Sequence, residues 1–272
     1  MTRLKMAKLK MDRLKIEKFM SIAIRLAMII TVAYGLLCLG LFIFQRSLIY
    51  FPQTRIILTN EVNLKLPIAE GNVLVSIRPH NGEKALIYFG GNAEDVSLNL
   101  PDFSSAFPDH ALYLLHYRGF GGSAGKSSEV ALINDALALF DKVYAEHQQV
   151  TILGRSLGSG IAVHVASLRP AAKLVLVTPY NSLLELANSQ FPFTPIKWLL
   201  EDKYESWRYA PKINVPTLII AAENDTVIPR EQTLLLHSHF KHSTVSLKVI
   251  SNTSHNTIAE NPQYLAMIQE FL

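Results

Sequence analysis

Residues 26–44 form a run of nineteen positions without a charge, rich in Leu, Ile, Val, Ala and Phe. At 1.5 Å per residue a helix over this run spans roughly 28 Å, about one hydrocarbon core. Beyond it the pattern changes. Residues 73–78 and 84–89 are short apolar or β-branched runs bounded by turn residues, and they predict strands. The spacing predicts a helix over 94–106, a buried strand over 110–117, and a helix over 128–146 with Leu132, Ala136 and Phe140 on one face. Strand 150–154, helix 157–168 and strands 173–177 and 217–221 follow. The chain closes with helix 230–240, strand 245–250 and helix 262–272, Pro262 standing at the start of the last. Strands alternating with helices imply an α/β class, a mostly parallel sheet covered on both faces. In such a sheet, ligands sit at the carboxyl ends of the strands, so chemistry belongs just after each apolar run.

Charge sharpens the picture at the N-terminus. Residues 1–25 hold eight basic residues against Asp12 and Glu17, a net of +6. The remainder holds 18 basic and 20 acidic residues, a net of −2, which gives no electrostatic footprint for phosphate backbones. Nucleic acid is therefore excluded as a partner. Basic residues crowd the N-terminal side of the apolar run and Arg46 stands almost alone on the other. The positive-inside bias predicts a cytoplasmic N-terminus, an uncleaved signal-anchor and a body on the extracytoplasmic side. The expected organisation is a basic cytoplasmic extension (1–25), a transmembrane anchor (26–45) and a catalytic body (46–272). The single cysteine, Cys38, excludes a disulfide framework and a multi-thiolate metal site. Neither a helical His pair nor Cys–His spacing appears, so no metal and no cofactor is expected.

The strongest chemical signal is Gly154-Arg155-Ser156-Leu157-Gly158, which joins a strand directly to a helix. The sharp turn needs small flanking residues and lifts the Ser156 hydroxyl above the sheet. A serine nucleophile needs a base and an orienting carboxylate. Among nine histidines, His255 lies in the polar loop after the last strand, whereas His147, His164, His237, His239 and His242 read as surface or core residues. Asp225 follows the preceding strand, with Glu223 as the rival acid. An oxyanion hole is expected from the backbone N–H of Leu157, after the nucleophile, and that of Asn92 in the loop Gly90-Gly91-Asn92-Ala93.

Two other motifs fail. Gly121–Ser127 looks like a phosphate-binding loop, but Phe120 occupies the position of its first glycine. Residues 119–124 match a dinucleotide pattern, yet no acidic residue ends the next strand to hold a ribose. The segment 181–212 is too long for a plain connection and carries Phe191, Phe193, Trp198, Tyr204 and Trp207 among prolines. It reads as a small lid suited to an acyl chain, or as a helix packed on the sheet.

Taken with Tyr117-Arg118-Gly119-Phe120-Gly121-Gly122-Ser123, Thr178-Pro179-Tyr180-Asn181-Ser182, Asn224–Pro229 and Ser254-His255-Asn256, these motifs resemble the α/β-hydrolase superfamily. They are most similar to its bud-emergence-type branch of membrane-anchored serine hydrolases, over residues 73–260. The resemblance implies an N-terminal anchor, a Ser156–Asp225–His255 triad and hydrolysis of an ester or thioester through an acyl-enzyme; some relatives remove fatty acyl groups from proteins. It implies a small-molecule or lipid-like acyl substrate. Three departures stand out: Gly90 where relatives often carry His, His116 where Asp often precedes Tyr-Arg-Gly, and Asn181 where Asp is common. An aminopeptidase-like amide hydrolase and a non-catalytic membrane scaffold that kept the fold remain the alternatives.

Overall fold

A computed structural model describes residues 3–56 and 62–272. The chain divides into two compact units, residues 1–45 and 46–272. The described residues of the first lie within helix α1 (Arg3–Ile49), whose apolar side chains from Met6 to Leu39 are largely exposed. It is long and apolar enough to cross a membrane.

The second unit is built on eight strands: β1 (Val62–Ile68), β2 (Gly71–Arg78), β3 (Lys84–Phe89), β4 (Ala111–Leu115), β5 (Gln149–Arg155), β6 (Lys173–Val177), β7 (Thr217–Ala222) and β8 (Val245–Ile250). Their order in the sheet is β1-β2-β4-β3-β5-β6-β7-β8. The β1–β2 and β2–β4 pairs are antiparallel and every later pair is parallel. This is the predicted α/β class, with one antiparallel corner.

Strand β1 was absent from the sequence-based pattern. Pro67 falls inside it, and proline cannot donate to a ladder, so the run reads poorly as a strand. It is tolerated because β1 is an edge strand. The central strands read clearly for the opposite reason: β3, β5, β6 and β7 are buried on both faces and therefore appear as continuous apolar runs.

Side chains along each central strand alternate between two cores. Ala85, Ile87 and Phe89 of β3 join the cluster that takes Leu132, Leu139 and Phe140 from α3 (Glu129–Tyr144) and Ile161 and Val165 from α4 (Leu157–Leu168). Leu86 and Tyr88 face the other cluster, where Phe103 of α2 (Leu100–Ala106) and Tyr264 and Ile268 of the C-terminal helix (Pro262–Phe271) pack. The helix Arg230–His239 contributes Leu236 to the first cluster. A fully buried side chain of this size contributes about 1.5–3 kcal/mol, so the two cores hold the sheet rigidly beneath its loops. Helix 94–106 is shorter than predicted. Residues 96–99 are a 3-10 turn and the α-helix begins at Leu100, with Pro101 in its first turn.

Candidate active site

Strand β5 runs straight into α4, and Ser156 sits at the joint with φ 49° and ψ −118°. That turn works only because the chain packs closely around it. A Cβ on Gly158 would overlap the Phe89 carbonyl of β3, so position 158 excludes every side chain. The hydroxyl stands at the start of a twelve-residue helix, whose N-terminus favours negative charge.

The loops after β7 and β8 bring the other two side chains to it. His255 Nε2 lies 2.9 Å from Ser156 Oγ, and His255 Nδ1 lies 2.9 Å from Asp225 Oδ2. The second carboxylate oxygen, Asp225 Oδ1, accepts from the backbone N–H groups of Val227 (3.0 Å) and Ile228 (2.8 Å). One oxygen is thus fixed by its own loop and the other is left for the imidazole. Asn224 N–H donates to Thr253 O at 2.9 Å, which ties the two loops together. The side chains of His255 and Asp225 are both buried. The rival Glu223 points elsewhere: its carboxylate accepts from Asn252 N–H at 2.8 Å and makes no bond to His255 among the described residues.

The loop after β3 lies beside the serine. A Cβ on Gly91 would stand 3.5 Å from Ser156 Cβ. The Gly91 N–H is already given to Glu94 Oε2 at 2.5 Å, whereas the Asn92 N–H has no acceptor among the described residues. Leu157 is the first residue of α4, so its N–H has no partner within the helix. Both amides named from the sequence thus lack an acceptor among the described residues, and each is the next residue along the chain from Ser156 or from Gly91 beside it. Tyr117 Oη donates to Gly90 O at 2.7 Å, and the loop carrying Tyr117 is locked by Arg118, bidentate on Asp135 at 2.8 Å for each bond.

Sequence reasoning missed a buried polar cluster beneath this loop. Glu94 accepts from Tyr88 Oη (2.7 Å) and Asn99 Nδ2 (2.8 Å) as well as from Gly91. Arg155, next to the serine, approaches Glu94 at 3.6 Å and donates to the His255 carbonyl at 3.3 Å. Burial first, and the Glu94 charge second, push the Tyr88 hydroxyl well above its ordinary pKa, so it stays a donor. A charged residue within the serine motif was the only signal in the sequence. Asn92 is the second surprise. Its side chain donates to Ile49 O (2.6 Å) and accepts from Phe51 N–H (3.0 Å), clamping the segment that follows the apolar run.

The three departures have local causes. At Gly90 a Cβ would collide with Val96 Cγ1, which excludes His there. His116 is buried against Ser76 Oγ at 2.8 Å, and burial pulls its pKa down to about 4. Asn181 donates to both Glu185 oxygens at 2.9 Å, where an Asp would meet like charge. Two further histidines are held in structural contacts: His147 meets Tyr113 Oη and Gly82 O, and His164 stacks on Tyr209. Among the described residues no group of three or more His, Cys, Asp or Glu is arranged to hold a metal ion.

Similarity to known proteins agrees with this architecture. A family described as Hydrolase_4, serine aminopeptidase S33, matches residues 105–201. Protein Rv2307c of Mycobacterium tuberculosis is 32% identical over 206 residues, 68% of this chain and 71% of that protein. Lysophosphatidylserine lipase ABHD12 of Macaca fascicularis is 28% identical over 221 residues, 69% of this chain but 55% of its own length. Protein bem46 of Schizosaccharomyces pombe is 24% identical over 272 residues, 89% of this chain and 90% of that protein. Among solved structures, the Pyrococcus furiosus esterase Pf2001 superposes with a TM-score of 0.66 at 17% identity, over 82% of this chain and 98% of its own. Sheet order, nucleophile turn and these relatives together establish that the chain belongs to the α/β-hydrolase superfamily.

Proposed function

We propose that the protein is a serine hydrolase that cleaves a carboxylic ester or thioester through an acyl-enzyme. The observation that carries this reading is the continuous pair of 2.9 Å hydrogen bonds from Ser156 through His255 to Asp225. His255 Nε2 takes the hydroxyl proton as Ser156 Oγ bonds to the substrate carbonyl carbon. The resulting oxyanion is held by the N–H groups of Asn92 and Leu157, and each such donor is worth roughly 10²–10³ in turnover. Asp225 keeps the imidazole in the tautomer that accepts at Nε2 and stabilises the imidazolium. The carbon–oxygen or carbon–sulfur bond then breaks, and His255 returns its proton to the leaving group. Water, deprotonated by the same nitrogen, attacks the acyl-enzyme, releases the acid and restores Ser156.

The lipase and esterase among the relatives support an acyl or lipid-like substrate, and the apolar 181–212 segment is read as a lid over it. The apolar part of α1, with its basic flank, is read as a single-pass anchor with the N-terminus in the cytoplasm. A reporter fused after Leu272 that is active only in the cytoplasm would overturn that orientation. The test of the chemistry is turnover of short p-nitrophenyl esters by the wild type and Ser156→Ala. Abolished hydrolysis in a folded variant supports the reading, and unchanged turnover removes it.

A second reading, cleavage of an aminoacyl amide, is favoured by the matched family's description as a serine aminopeptidase. Comparing p-nitrophenyl esters with aminoacyl-anilides separates the two. Preferred turnover of the anilides would select the second.

A further inference from the structure

Residues 46–56, which follow the apolar run, are fastened to two separate parts of the body. On one side Asn92 grips the backbone at Ile49 and Phe51, Asp95 Oδ2 accepts from Ile56 N–H at 2.7 Å, and Gln53 O accepts from Gly121 N–H at 2.9 Å. On the other, Arg46 pairs with Glu201 (3.0 Å) and Asp202 (3.1 Å), and Tyr50 Oη bonds Asp202 (3.0 Å) and Tyr204 Oη (2.9 Å). Glu201, Asp202 and Tyr204 belong to the 181–212 segment. The strap is therefore ordered, and the apolar side chains it leaves in solvent are held there: Phe51 is 49% exposed and Ile56 58%.

The 181–212 segment adds two more. Phe193 is 89% exposed and Trp198 84%, while their neighbours Ile196, Leu200 and Tyr204 are buried. Trp198 lies three residues before Glu201, so chain geometry keeps its backbone within roughly 11 Å of the residue that pairs with Arg46. Large side chains this exposed gain nothing in water, and tryptophan in particular favours the boundary between hydrocarbon and water. Lys197, exposed beside Trp198, carries an apolar stem and a charge that reaches headgroups. Arg46 stands one residue beyond the apolar stretch 26–45, so a bilayer crossed by that stretch places Arg46 at headgroup depth by covalent connection.

We propose that Phe51, Ile56, Phe193 and Trp198 form a lipid-facing rim that seats the body on the leaflet from which the chain emerges. This rests on reading residues 26–45 as a membrane span. The rim adjoins the oxyanion loop, because Asn92 holds Phe51 and Gly91 lies against Ser156. An acyl chain then passes from the leaflet to the serine along the strap, and the substrate class is an acyl ester resident in the membrane.

The test needs no turnover. The chain has two tryptophans, and Trp207→Phe leaves Trp198 alone. The full-length variant is reconstituted into phosphatidylcholine vesicles with and without shallow brominated lipid. At least a twofold loss of Trp198 emission with brominated lipid, and protection from aqueous acrylamide, is expected. The reciprocal Trp198→Phe variant, which keeps the half-buried Trp207, should show neither, and its difference from wild type gives the same answer if Trp207→Phe does not fold. Floating vesicles that carry a Trp198 quenched by acrylamide and untouched by bromine would overturn the rim. Protein that does not float with vesicles at all would overturn the span on which it rests. Ester turnover by either variant bears only on the hydrolase reading.

Discussion

Ser156 occupies a backbone conformation that non-glycine residues rarely adopt, at φ 49° and ψ −118°. Holding it there costs on the order of 1–3 kcal/mol, supplied by the packing of β5 and α4 around the turn. Glycine relieves that strain and alanine does not. Ser156→Gly is therefore expected to unfold at a higher temperature than Ser156→Ala, by about 2–4 °C for each kcal/mol recovered, measured on the same detergent-solubilised chain. Equal midpoints would show that the turn stores no strain. The carboxylates give a second contrast. Asp225 bonds His255 and Glu223 bonds only the Asn252 amide. Asp225→Asn should lower kcat by roughly 10³–10⁴-fold, because the amide favours the wrong imidazole tautomer. Glu223→Gln should stay within a few-fold of wild type. The reverse ranking would transfer the acid's role to Glu223.

At the scale of elements, the Glu94–Arg155 pair joins three loops that the chemistry needs in register: the one carrying Asn92, the serine turn and the loop carrying His255. Glu94→Ala removes the anchor of the Gly91 amide and leaves the Arg155 cation buried with less compensation. The expected result is a kcat per fluorophosphonate-titrated site at least tenfold lower with KM within about twofold, partly rescued in Glu94→Gln, which keeps an acceptor. A normal kcat per titrated site would reduce the pair to a packing role. Glu94 and Arg155 are sixty-one positions apart in the chain, and no local pattern announces that they meet. The elements themselves were legible wherever burial imposed a simple rule. Strands β6 and β8 and helix α4 fall where the sequence pattern placed them, because two-sided burial leaves an unbroken apolar run and edge alternation a readable period of two. Strand β1 was not: Val62, Leu64, Leu66 and Ile68 alternate with Asn63, Lys65 and Pro67, but a proline inside the run argues against a strand. The three residues of the candidate triad were readable because strand ends fix where such side chains can sit. The Asn92 clamp and the polar cluster depend on long-range contacts and were not.

The whole molecule separates its charge, with a basic N-terminal segment and a slightly acidic body. Its response to acid follows from two histidines buried in that body. Burial depresses His110 and His116 to about 4, against an ordinary value near 6.5. Above about pH 6.5 both are neutral in folded and unfolded chains and add nothing to the pH dependence. As pH falls from there toward 4 the unfolded chain binds protons that the folded chain refuses, so stability falls, by on the order of 1–3 kcal/mol for each. The melting temperature is expected to drop between pH 7 and pH 4.5, and His116→Gln should flatten that drop. A melting temperature that is level over this range, or a slope unchanged by the substitution, would contradict the neutral, buried state of His116.

We propose Ser156 as an activated nucleophile, and fluorophosphonate labelling of membranes carrying the full chain, with Ser156→Ala alongside, is its plainest test. Labelling of the wild type that disappears in the variant is the expected result. A folded wild type that takes no label, or a variant that still takes it, would contradict the account.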